Sequence, residues 1–217
     1  MLKKALLTCG ILASLLYVAM NIICAMLYDG YSSFSQTVSE LSAVDAPTRP
    51  LWYSLGLVYA LFVVLFGWGV WKSSSGNRAL RIVGILLFVN GLVSFSWPPM
   101  HQREVIAAGG GTLTDTMHIV FSFVTVFLMM LSIGFSAAAF GKRFRIYSIV
   151  TAIILLFFGA LTGMQSPALE ANMPTPWMGV WERICIGAFL LWMVVLALIQ
   201  LREVSSDREH LLHKVLH

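Results

Sequence analysis

Charge is scarce in this chain. Only 11% of its 217 residues are Asp, Glu, Lys or Arg, while 59% are hydrophobic. A soluble domain carries about 25% charged residues. So few ionic groups cannot cover a water-facing surface, which excludes a water-soluble fold and leaves an integral membrane protein. Cysteine is equally sparse. Cys9, Cys24 and Cys185 all fall inside apolar runs and follow no metal-binding or disulfide spacing, so they read as small buried hydrophobes. Alternation of apolar and polar residues is missing too, and the continuous runs exclude a β-barrel. No internal repeat or low-complexity segment occurs, and the length leaves room for a single domain.

What is present is a set of long apolar runs. A membrane-crossing helix needs about 20 of them in succession. Six segments qualify, roughly 5–27, 51–71, 81–97, 115–140, 146–164 and 178–201, predicting an all-α bundle of six transmembrane helices. The first follows Lys3 and Lys4 as a signal peptide would, but its apolar part is too long for one, and it reads as a retained helix. The third stops at Pro98-Pro99, which cannot continue a helix. Residues 202–217 form a mixed-charge tail whose Leu211, Leu212, Val215 and Leu216 keep helical spacing, as in a helix lying on the cytoplasmic surface.

The connections separate by charge. Eleven of the fourteen basic residues fall on one side of the six spans, leaving Arg49, Arg103 and Arg183 on the other with Asp29, Glu40, Asp45, Glu104, Asp115, Glu170 and Glu182. The positive-inside rule then places both termini in the cytoplasm of a cell-membrane protein, with loops 28–50, 98–114 and 165–177 outside. The net charge of +4 is a topology signal and calls for no nucleic acid. The partners it implies are membrane lipids.

The outer loops carry the unusual chemistry. In YSSFSQTVSELSAVDAPTRP, Thr37 and Glu40 form a capping box, predicting a short helix at the interface. In SWPPMHQREVIAAGGGTLTDTMHIV, His101 follows the proline pair, three glycines make a mobile connection, and Thr114 or Asp115 caps the fourth helix. Asp115 and His118 are three apart and share a face. In PTPWMGVWERICIG, Trp177 and Trp181 mark the headgroup boundary. Glu182 and Arg183 follow about 100° apart on the helix. Arginine snorkels and glutamate does not, so Glu182 is expected to face the bundle and His118, with Arg183 reaching outward to headgroups or an anionic ligand. Intramembrane ionisable residues default to functional hypotheses, and these gather at one level. At mid-membrane only Asn21, Asn90 and a few serines are polar. The lack of charge there argues against an ion-coupled transporter or pump.

YSSFSQTVSELSA after the first helix and GVWERICIGAFLLW opening the last, with a histidine entering the fourth, resemble the bacterial and archaeal family called domain of unknown function 998. The resemblance implies a multi-pass membrane protein and supplies no activity. A looser similarity is to the membrane hydrolase superfamily of alkaline ceramidases and adiponectin-receptor-like proteins, which place a serine, an aspartate and three histidines around zinc in seven helices. Ser39, Asp115, His101 and His118 would carry that pattern here. The chain departs from it in having six helices and no late histidine pair, so Glu182 would have to be the third zinc ligand.

Two functions follow, beside a reading of the whole layer as a stabilising clasp among the helices. In the first, the outer polar layer binds a lipid or small ligand: Arg183, with its planar fork, takes a phosphate or carboxylate, and Glu182, His118 and His101 complete the site. In the second, the protein is a membrane-embedded lipid hydrolase. His101, His118 and Glu182 would hold zinc with one position left for water, and Asp115 or Glu40 would take the water's proton. Without metal, His118 paired with Asp115 would activate Ser39.

Overall fold

A computed structural model describes residues 1–216, and side chains through residue 206. Six long helices account for most of it: Leu2–Leu27, Arg49–Lys72, Arg78–Phe95, Leu113–Ala139, Lys142–Met164 and Met178–Leu216. All six are long and apolar enough to cross a membrane. The last does not end at residue 201 as expected. It runs unbroken through the tail to Leu216, because nothing between 201 and 216 is a glycine or proline that would stop it. The apolar stripe expected from Leu211 to Leu216 lies outside the side chains described.

Each helix packs on its neighbours in sequence, and the sixth closes on the first, giving an up-and-down ring. Leu7, Phe66, Leu87, Ile133, Leu155, Phe189, Trp192 and Met193 fill its interior. Phe123, Phe127, Ile153 and Phe157 lie exposed on the outside, the reverse of a soluble fold and the arrangement a lipid solvent selects. The second and third helices approach closest. Gly67 faces the backbone of Phe88 and Gly84 that of Trp71, at distances that leave no room for a Cβ. Small residues at such crossings let the helix backbones pack directly.

The loops after the first, third and fifth helices meet at the end opposite the termini. Val44 N donates to Met100 O at 2.7 Å, tying the first loop to the second, and Gly179 N donates to Phe34 O at 3.0 Å, tying it to the sixth helix. The expected capped turn is present as a single 3-10 turn, Val38–Ser42. Its capping box is complete, with Thr37 N donating to Glu40 Oε2 at 2.7 Å. In the second loop the glycines end a wide helical turn, Ile106–Gly110, where Gly109 takes φ +82°, a left-handed conformation few other residues tolerate. The cap of the fourth helix is Thr112 rather than Thr114 or Asp115: Asp115 is the third residue of the helix, closes the capping box and accepts from Thr112 N at 2.7 Å.

Candidate functional site at the loop end of the bundle

Four clusters of polar side chains form a layer under these loops. The first is built on Glu40. Its carboxylate accepts from Gln36 Nε2, Thr37 N, Thr37 Oγ1, and Arg103 Nε and Nη2, the last two at 2.7 and 2.8 Å. Arg103 is buried and spends its remaining donors on Thr175 Oγ1 at 3.1 Å and Ser35 O at 3.4 Å. Hydrogen bonding to Glu40 raises the Arg103 guanidinium above its ordinary value. The guanidinium thereby joins all three loops through one planar fork.

The second cluster pairs Asp115 with His101. Asp115 accepts from His101 N at 2.6 Å, from His101 Nδ1 at 2.9 Å, and from Thr112 N and Oγ1 at 2.7 and 3.0 Å. His101 is partly exposed. Asp115 therefore orients His101 and makes no hydrogen bond to His118, although it shares a helix face with it.

His118 belongs to the third cluster. It is 4% exposed, with Nδ1 2.8 Å from Pro98 O and Nε2 2.8 Å from Ser39 Oγ. A carbonyl oxygen only accepts, so Nδ1 carries the proton and donates to it. In the neutral ring Nε2 is then the acceptor and the Ser39 hydroxyl its donor. Trp97 stands edge-on to the imidazole, centroids 5.3 Å apart, and fixes its plane. Ser39 sits on the capped turn and is partly exposed. A hydroxyl held on the basic nitrogen of an oriented histidine is the geometry of a nucleophile and its base, with a backbone carbonyl in the place a carboxylate takes in a triad.

The fourth cluster answers the charge pair at the start of the sixth helix. Glu182 faces inward, but its partner is the backbone of the first loop rather than His118: Oε2 accepts a short hydrogen bond from Val38 N. Arg183 does not snorkel. It donates to Ser33 O, Gln36 O and Gly179 O at 2.8–3.0 Å, to Tyr31 Oη at 2.6 Å and to Asn21 Oδ1 at 3.2 Å. Backbone carbonyls of the loop occupy the fork that the sequence reading reserved for a phosphate or carboxylate.

His101, His118 and Glu182, the expected zinc set, each have hydrogen-bond partners of their own in this structure: Asp115 for His101, Pro98 and Ser39 for His118, and Val38 N for Glu182. Among the described residues, no three His, Cys, Asp or Glu side chains come together as a metal site would require. Glu40 and Asp115, considered as proton acceptors, have their lone pairs filled by five and four donors respectively. The pair the structure does bring together is Ser39 and His118.

Sequence reasoning missed Arg103, Tyr31, Thr175 and the Pro98 carbonyl. Arg103 had a signal: it is one of only three basic residues on the acidic side. The carbonyl had none, since backbone acceptors carry no side-chain identity.

A family model described as "Protein of unknown function (DUF998)" matches residues 11–199, and the chain belongs to that family. No curated protein and no solved structure matches it.

Proposed function

We propose that this multi-pass membrane protein acts on lipid at the loop end of its bundle, with Ser39 as nucleophile and His118 as its base. One observation carries the reading: Ser39 Oγ lies 2.8 Å from a histidine nitrogen whose tautomer Pro98 O sets from the other side of the ring. In such a step the hydroxyl proton passes to His118 Nε2 as Ser39 Oγ adds to the carbonyl of an ester or amide. The leaving group takes that proton back from His118, and an acyl-serine remains for water to release through the same base. Pro98 O stabilises the transient imidazolium through the Nδ1–H it already accepts. His101, oriented by Asp115 and partly exposed, lies at the same level. The charge bias of the connections supports loops facing outward, both termini in the cytoplasm and a substrate drawn from the outer leaflet.

A second reading has an observation of its own. Glu40 and Arg103 satisfy each other, and Asp115, Glu182 and Arg183 are held by neighbouring side chains and backbone, as in a rigid layer that binds a lipid or small ligand without chemistry.

Labelling with a fluorophosphonate probe in native membranes separates the two. The nucleophile reading expects covalent modification at Ser39, lost in both Ser39→Ala and His118→Ala. A wild-type protein that stays unmodified and releases no fatty acid from mixed lipid vesicles leaves the non-catalytic layer.

A further inference from the structure

At the opposite end of the bundle, where the termini lie, the glycine crossing of the second and third helices opens outward into an apolar groove of about 480 Å³. Gly67 and Gly84 form its floor, and Trp68, Trp71, Ile85 and Phe88 its walls. Trp68, Trp71 and Ile85 are 40%, 44% and 49% exposed, so the groove faces the surrounding lipid. Both glycines sit against backbone of the facing helix, so neither position has room for a larger residue.

Three cations flank these lining residues in sequence. Lys72 lies one turn beyond Trp68 and Arg81 one turn before Ile85, each on the same helix face as its groove residue. Arg78 opens the third helix, whose first turn holds no acidic residue. All three are exposed, and the connection from 72 to 81 contains no Asp or Glu at all. Lys72 Nζ is held 5.0 Å from the centroid of Trp68, over the wall of the groove. The positive end of the third helix's dipole points to the same place.

We infer that this groove binds an anionic phospholipid, one acyl chain lying on Gly67 and Gly84 and the phosphate on Lys72, Arg81 and Arg78. The pairing of an apolar slot with a basic rim selects this occupant. A neutral lipid gains nothing from three cations, and a second copy of the chain would bring the same three to face them. Basic residues beside a membrane attract anionic headgroups by about 1 kcal/mol each, so removing two should weaken retention about thirtyfold.

The test is native mass spectrometry of the full chain from mild detergent, supplied with phosphatidylglycerol or phosphatidylcholine. The expected result is one retained phosphatidylglycerol, about thirtyfold less in Lys72→Ala/Arg81→Ala, and undiminished in Arg202→Ala on the sixth helix, which packs on the first and fifth. Ile85→Trp, which fills an exposed wall with all cations intact, should also lose the lipid. Equal retention of both lipids, or retention unchanged by Ile85→Trp, overturns the proposal. Competition by glycerol phosphate, which has no chain, overturns it as well, since the groove would then do nothing. So does a switch from dimer to monomer in Ile85→Trp without loss of lipid, which would make the groove a contact between copies. Labelling of Ser39 is read separately in each variant and should not change.

Discussion

Arg103 lies flat against Glu40, with Nε 2.7 Å from one carboxylate oxygen and Nη2 2.8 Å from the other, and both residues are buried. Two ions removed from water repay their desolvation only when paired this well. Breaking the pair on one side leaves the other charge uncompensated. Arg103→Ala should therefore cost about 3–5 kcal/mol of stability, whereas Glu40→Gln with Arg103→Met should cost markedly less. Unfolding in detergent by graded SDS, followed by tryptophan fluorescence, distinguishes the two. If the double variant proves as unstable as the single one, the pair contributes specific contacts beyond charge neutralisation.

Gly179 is the point where the sixth helix meets the first loop. A Cβ there would collide with the carbonyl oxygens of Gln36 and Ser33 and come within 2.9 Å of Arg183 Nη1. Those oxygens are backbone and are tied to the guanidinium, so they cannot swing aside as a flexible side chain would. Gly179→Ala should destabilise by about 1–3 kcal/mol or more and lower the melting temperature in detergent. Gly134→Ala, with nothing near its Cβ, should leave it unchanged.

How much could be read from residues alone depended on whether the signal lay in side-chain pattern or in backbone. The six spans follow from apolar runs whose length the bilayer sets, and the Thr37–Glu40 box from residue types at fixed spacing. The inward orientation of Glu182 followed from the cost of exposing a carboxylate to lipid. Its partner could not be inferred, because Val38 N is a backbone donor that becomes available only where a 3-10 turn starts. The same holds for Arg183, whose acceptors are carbonyls of a loop, and for His118, oriented by Pro98 O. Asp115 was assigned to His118 by helical spacing, but the chain reverses after Pro98-Pro99 and delivers His101 to it first. Sequence periodicity reports faces of helices, not which loop folds over them.

Tyr31 gives the layer an alkaline limit. Its hydroxyl donates to Thr37 O at 2.7 Å and accepts from Arg183 Nη2 at 2.6 Å. Burial pushes its pKa well above the ordinary 10.0. A group whose folded pKa is raised contributes fully below its unfolded value and loses that contribution as pH rises toward the folded one. The melting temperature should therefore hold from about pH 7 to 9 and fall above about pH 10. Tyr31→Phe should begin lower and decline less steeply, because the ionising group is gone. A variant whose decline parallels that of the wild type would assign the alkaline transition to other residues.

Glu182 supports the proposed nucleophile without touching it. By accepting from Val38 N it pins the first residue of the turn that presents Ser39 to His118. Glu182→Ala leaves that buried N–H without an acceptor and should cost about 1–3 kcal/mol. Glu182→Gln keeps a carbonyl oxygen in the same place and should recover most of this. The consequence for Ser39 can be read apart from stability. At a temperature where both variants remain folded, probe modification of Ser39 should slow in Glu182→Ala and recover in Glu182→Gln, because the turn rather than the charge sets the distance from Ser39 to His118. Equal rates in all three proteins would mean that the capping box of Thr37 and Glu40 holds the turn unaided, and would reduce Glu182 to a stabilising contact.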